Sequence, residues 1–229
     1  MTSQPRGPAV GIVTRYPELG VGKTLLASAI GAEAAFELAR AMLLDVCAAV
    51  RGAALCHPTV FVEPADAIDA AATLTAIPDV RAQVSGDIGA RMLSASTSLA
   101  SDGYAPVILV GSDLPLLDPP RIHHALRALR RADVVFGPAS DGGYYLVGMH
   151  RPQAAIFEDA TVQWSGPEVL AASVGVAQAA GLDYGLLPDS FDVDTADDLE
   201  RLREELARRE LAAEPVPQHT AAALGRLES

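Results

Sequence analysis

Short β-branched apolar runs alternate with longer Ala- and Leu-rich stretches along most of the chain, and this alternation most constrains the fold. A run of four to six such residues suits a strand buried on both faces, and a helical crossover between two runs lets them pair in parallel. Residues 9–14 (AVGIVT) read as the first strand, followed by a Gly- and Pro-containing loop, RYPELGVG. Residues 24–50 are helical by period, with a break at Gly31. Next come strand 59–62, helix 65–76, strand 81–85 and helix 88–100. PVILV at 106–110 is the clearest strand, running into GSDLPLLDPP. Helix 121–131, strand 133–136, an SDGG turn, strand 144–149, helix 167–180, strand 184–187 and a charged helix at 195–211 complete the series. The pattern predicts an α/β sandwich with a largely parallel sheet. One domain is expected over residues 1–212, and a tail at 213–229, which shows no periodicity, is expected to be disordered.

The length of 229 residues suits one large domain with a substantial core. Lys and Arg number 17 against 29 Asp and Glu, a formal charge of -12. Such a surface repels phosphate backbones, so nucleic acid is excluded as a partner. A small anionic ligand is not excluded, because a few local cations can reverse the field in one cleft. Cys47 and Cys56 form neither a disulfide framework nor a CxxC motif and read as reduced thiols. No apolar run approaches the ~20 residues of a membrane span. The opening MTSQPRGP lacks the apolar core of a signal peptide, so the expected location is cytoplasmic, without membrane association.

In open α/β sheets ligands bind where strands end, so the residues just after each strand carry the candidates. The loop after the first strand offers Gly20, Gly22, Lys23 and Thr24, a combination of free backbone N–H groups and one full charge that suits phosphate. GVGKT also ends a P-loop pattern, but the complete pattern requires glycine where this chain has Pro17. Asp113 is the first carboxylate after PVILV and suits Mg²⁺ or Mn²⁺ shared with substrate phosphates, or else bonds its own turn. In DSFDVDTADDL, Thr195 and Asp198 form a capping box, which leaves Asp192 and Asp194 unexplained; a metal site is the sharper reading for these two. Asp141, Gly142 and Gly143 make a tight turn in which Asp141 could orient a hydroxyl or act as a base. Tyr144 and Tyr145 point to opposite faces, one into the core and one toward a cleft. Asp87 opens a helix, where capping is the default role. Trp164, the only tryptophan, precedes a helix and reads more readily as core than as a platform for ligand. The five histidines show no ligand spacing.

Taken in order, these segments resemble a bacterial GT-A-fold family of nucleotidyl- and glycosyltransferases. It is a domain of unknown function linked to arsenosugar-biosynthesis-type glycosyltransferases and related to molybdenum-cofactor and 2-phospho-L-lactate guanylyltransferases. The matching motifs are KTLL at 23–26, GDIGARM at 86–92, GSDLPLL at 111–117, GPASDGGYYLVG at 137–148, WS at 164–165 and DVDTADDL at 192–199. The resemblance implies a Rossmann-like GT-A nucleotide-diphospho-sugar transferase fold, a three-layer sandwich whose mostly parallel sheet is mixed. It implies Mg²⁺ or Mn²⁺ held by Asp113 and Asp194, with Asp192 beside them, and catalytic roles for Lys23, Asp113, Asp194 and Asp141. The nucleotide and its phosphates would meet Arg15, Gly20, Gly22, Lys23, Thr24, Gln83, Gly86 and Asp87. Gly142, Gly143, Tyr144 and Trp164 would border the acceptor. Leu25 stands where the family has arginine, which removes one cation from the phosphate site; either Arg15 compensates, the donor differs, or activity has been lost.

The activity expected from these features is metal-dependent nucleotidyl transfer from a nucleoside triphosphate to a small phosphate- or phosphonate-bearing acceptor, releasing pyrophosphate. A lysine in the first loop suits a triphosphate. The alternative is glycosyl transfer from a nucleotide sugar on the same fold; a P-loop NTPase or a non-catalytic nucleotide binder ranks below both. The Ala- and Leu-rich helices could pack internally or form a homodimer.

Overall fold

The structure is a computed structural model describing residues 4–164 and 166–227. Seven strands form one sheet: β1 (Ala9–Arg15), β2 (His57–Glu63), β3 (Val80–Ala82), β4 (Val107–Val110), β5 (Val134–Pro138), β6 (Tyr144–Met149) and β7 (Tyr184–Leu186). Their order is β3-β2-β1-β4-β6-β5-β7. Pairing is parallel except at β6, which runs antiparallel to both β4 and β5. This is the mostly parallel, mixed sheet that the alternation predicts.

The helices are α1 (Thr24–Ile30), α2 (Ala32–Gly52), α3 (Ile68–Thr75), α4 (Ile88–Ser101), α5 (Pro119–Ala128), α6 (Ala154–Phe157), α7 (Val169–Ala179), α8 (Ala196–Leu211) and α9 (Gln218–Leu227). One sheet face is covered by α2, α3 and α5, through Leu43, Val46, Ala71 and Ile122. The other is covered by α4, α6 and α7, through Met92, Leu99, Ile156 and Ala177. The small Gly11 lets the strands' own side chains close the second layer, since a Cβ there would meet Leu109 Cδ2 at 2.8 Å.

The expected break at Gly31 is present: its φ of 89° separates α1 from α2, a conformation glycine adopts without a Cβ clash. β3 is displaced from its expected place at 81–85 and stops at Ala82, where the chain turns through Ser85 and Gly86 toward α4. The tail departs from expectation more sharply. Instead of fraying, it contains α9, which buries Ala223 and Leu224 against α2 and α8 in a third apolar cluster with Leu38, Met42 and Leu202. The buried carboxylate of Asp45 on α2 accepts from His219 N at 3.0 Å and Thr220 N at 2.7 Å, satisfying free N–H groups at the start of α9. Among the described residues, no helix is long and apolar enough to cross a membrane.

The strand order reverses between β1 and β4, and this switch point opens a crevice at the carboxyl edge of the sheet. The loop after β1, the segment after β4 and the stretch before α8 all reach that edge.

Candidate active site

Three segments far apart in the chain meet at one atom. Lys23 Nζ lies 2.9 Å from Asp113 Oδ2 and 2.5 Å from Asp194 Oδ1, and it donates to the Val193 carbonyl at 2.8 Å. An ammonium has three N–H donors, and here all three have an acceptor. Lys23 is also the only lysine among the 17 Lys and Arg residues. Every other cation is an arginine, whose planar fork cannot place three divergent donors on so compact a centre. Lys23 sits immediately before α1 with φ 46° and ψ 39°, a left-handed conformation uncommon for a side-chain-bearing residue, and its side chain is only 9% exposed.

The electrostatics follow from this contact. Burial works against the Lys23 charge, but Asp113 and Asp194 overcome it and raise the pKa above its usual value. Burial likewise disfavours the Asp194 carboxylate, yet Lys23 holds its pKa below the ordinary range. Asp192 lacks such a partner. Burial, followed by the charges of Asp194 and Asp141, pushes it up to about 7.

A cleft of about 530 Å³ opens beside Asp113. Among the described residues, three carboxylates (Asp113, Asp141 and Asp192) and three aromatic side chains (Tyr144, Tyr145 and Trp164) line it, with no Lys, Arg or His. Asp141 Oδ1 accepts from Gly143 N at 2.9 Å, which fixes the turn. Gly142 has φ 90°, and a Cβ there would stand 1.8 Å from the Pro167 carbonyl oxygen. The glycine therefore allows the chain before α7 to close the far wall of the cleft. Tyr145 is buried and donates to the Pro188 carbonyl at 3.1 Å. Burial raises the Tyr144 phenol well above its ordinary pKa, so it is a neutral O–H at physiological pH. Trp164 stacks on Phe157 with ring centres 6.2 Å apart and covers Gly89 of α4. It is thus core on one side and cleft wall on the other. Ser165, its partner in the WS pair, lies outside the described residues.

On the other side of Lys23, Arg15, Pro17, Gly22, Ser112, Asp113 and Asp194 line a groove of about 190 Å³. Gly20 and Gly22 hold positive φ in the loop, and Thr24 is the exposed first residue of α1. Arg15 is not free: it pairs with Glu63 at 2.7 Å, and Arg91 reaches the same carboxylate at 2.6 Å. Gln83 Nε2 is spent on the Thr14 and Phe61 carbonyls, at 2.6 and 2.9 Å, so it braces the strand ends. Gly86 precedes Asp87, which caps α4 by accepting from Ala90 N at 2.8 Å. The capping box of Thr195 and Asp198 forms as expected. Leu25 is 64% exposed on α1. Sequence reasoning missed Glu63 and Arg91. The signal was available for both, since Glu63 is the first acidic residue at the end of its strand and Arg91 lies within GDIGARM.

Two carboxylates within reach of one atom are close enough to share a cation. Among the described residues, no three His, Cys, Asp or Glu side chains are grouped as a metal cage. Mg²⁺ does not require one, because it binds through one or two carboxylates with water and substrate phosphates completing the shell. The donor set therefore fits such an ion.

The chain is similar over 82% of its length, and 82% of the other's, to a Desulfovibrio desulfuricans protein described provisionally as a nucleotide-diphospho-sugar transferase, with 32% identity and a TM-score of 0.73. A 4-diphosphocytidyl-2C-methyl-D-erythritolsynthase from Anaerococcus prevotii shares the fold at 10% identity and TM-score 0.55, over 88% of this chain and 99% of that one. A Mycobacterium tuberculosis protein solved in complex with manganese shares it at 18% identity and TM-score 0.52, over 86% and 98%. No curated protein matches the chain. The fold is similar to that of nucleotidyl- and nucleotide-sugar transferases. A family match over residues 45–166, more than half the chain, agrees with the shared architecture: the protein belongs to the family described as uncharacterized protein conserved in bacteria (DUF2064).

Proposed function

We propose that this protein is a divalent-metal-dependent glycosyltransferase that takes a sugar from a nucleotide sugar and passes it to a hydroxyl of an uncharged acceptor. The observation that carries this choice is the makeup of the 530 Å³ cleft, whose described lining has three carboxylates, three aromatic rings and no Lys, Arg or His. With Asp113 and Asp192 turned to the ion, Asp141 is the carboxylate left for an acceptor, and no Lys, Arg or His among the described lining residues would hold an acceptor phosphate. A hydroxyl-bearing acceptor would find oxygens that accept its protons and ring faces on which to lie. The likeness to a protein described as a nucleotide-diphospho-sugar transferase supports the same reading.

In this scheme Asp113 and Asp194 hold Mg²⁺ or Mn²⁺, with Asp192 beside them. When bound, the ion neutralises the charge that builds on the departing diphosphate. The groove lined by Arg15 and Gly22 receives the donor phosphates. Asp141 faces the cleft, with one oxygen anchored on Gly143 N. In this reading its other oxygen orients the acceptor hydroxyl and takes its proton as the hydroxyl oxygen bonds to the sugar carbon and the nucleoside diphosphate leaves. Tyr144 and Trp164 give the acceptor an apolar wall.

A second reading, nucleotidyl transfer with release of pyrophosphate, draws support from Lys23 at the end of the glycine loop. Against it, the described lining of the acceptor cleft offers no Lys, Arg or His to a phosphate-bearing acceptor. The test is to follow products with panels of nucleotide sugars and nucleoside triphosphates in Mg²⁺. Release of nucleoside diphosphate from a nucleotide sugar is expected. Pyrophosphate release would transfer the assignment to the second reading, and no turnover of any donor would overturn both.

A further inference from the structure

The position of Lys23 raises a question that metal binding alone does not answer. Its ammonium stands where a cation shared by Asp113 and Asp194 would stand, at 2.9 and 2.5 Å from their oxygens. Two positive charges cannot share that place, and the carboxylates cannot direct the same lone pairs at both. We propose that the Lys23 ammonium and a divalent cation are alternative occupants of the Asp113–Asp194 pair, so that metal loading displaces Lys23 into the donor-phosphate groove. This rests on the reading that the pair takes a metal.

The local structure supports an exchangeable contact. Lys23 also lines the groove with Arg15 and Gly22, so its flexible four-carbon stem has somewhere to go. Its third hydrogen bond goes to a main-chain carbonyl, that of Val193, which stays in place when the ammonium leaves. Asp113 and Asp194 are 38% and 51% exposed at the side chain, so an ion can reach them from solvent, whereas Lys23 is enclosed. The exchange orders the two ligands. Before metal arrives, the lysine cancels the repulsion between the carboxylates. Afterwards its charge becomes available to the phosphates of the incoming donor, beside the apolar Leu25 in the first turn of α1.

A single lysine makes the test direct. Protein labelled with ¹⁵N at the lysine side chain carries one ammonium signal, from Lys23. In metal-free protein that signal should be sharp, because three acceptors protect it from exchange with water. Titration with Mg²⁺ alone should shift it and broaden it toward a solvent-exposed ammonium. In parallel, Mn²⁺ affinity read by electron paramagnetic resonance should rise about tenfold or more in Lys23→Gln. If Mn²⁺ binds the wild type while the signal stays unchanged and Lys23→Gln binds no tighter, the exchange is wrong and the metal site stands. If neither the wild type nor Lys23→Gln binds Mn²⁺, the metal reading fails and takes this inference with it. Should Lys23→Gln misfold, the signal titration on the wild type decides alone.

Discussion

The Val193 N–H donates to the Asp113 carbonyl at 3.2 Å, tying the segment after β4 to the segment before α8 through main chain alone. Because the tie uses backbone atoms, it positions Asp194 whatever the side chains do. The two carboxylates are therefore held near one another before any cation arrives, and the cost of ordering them is met by the fold rather than by the ligand. Changing a side chain at either position should leave the scaffold intact.

Asp113→Asn and Asp194→Asn should each reduce metal-dependent turnover by about 100-fold or more while leaving the circular dichroism spectrum that of a folded protein, with a lower melting temperature because the enclosed Lys23 loses a counter-charge. Each substitution keeps the shape and removes a charge from the cation site. Turnover within a few-fold of wild type in either variant would contradict the assigned role.

Asp141→Asn should lower kcat strongly with little change in donor KM. Its anchored oxygen is retained as an amide carbonyl that can still accept from Gly143 N, whereas the base is lost. Steady-state kinetics with the donor varied separates this outcome from a binding defect, in which KM would rise and kcat would hold.

Gly142→Ala should destabilise the protein by about 2 kcal/mol or more, seen as a lower urea midpoint. The added Cβ would collide with the Pro167 carbonyl and would have to adopt φ 90°. The wall of the cleft rests on that contact, so acceptor binding should weaken alongside.

Stability should fall on acidification through a network at the other end of the sheet. Burial opposes ionisation of Asp79, but hydrogen bonds from Arg81, His57 and Thr59 outweigh it and hold its pKa at about 2, against an ordinary value of 3.8. A depressed carboxylate favours the folded state above the unfolded pKa, and that contribution disappears as pH drops from about 4 to 2. Asp79→Asn should flatten this part of the curve of melting temperature against pH.

Asp45→Ala should loosen α9 without touching the site. It removes the acceptor of two N–H groups, which costs about 1–2 kcal/mol at a helix start. Amide exchange across 218–227 should rise, while exchange in β1 and β4 should not.

What could be read from sequence followed from local rules. Apolar runs of strand length and helical period named nearly every strand and helix. The chain also carries its own punctuation, in the break at Gly31, the cap at Asp87 and the box at Thr195 and Asp198. Even the candidate site residues could be listed, because ligands gather where parallel strands end and Asp113 follows such an end directly. What only the tertiary structure decided was which charge faces which. Lys23 and Asp194 are 171 positions apart, and nothing local tells a lysine to face a carboxylate rather than a phosphate. The absence of cations among the described residues of the acceptor cleft, the sharing of Glu63 by Arg15 and Arg91, and the capping of α9 by Asp45 are likewise pairings between distant segments. Local propensity acts over a few residues, while the field at a site sums over everything the fold brings within several ångströms, so the elements could be foreseen and their electrostatic partners could not.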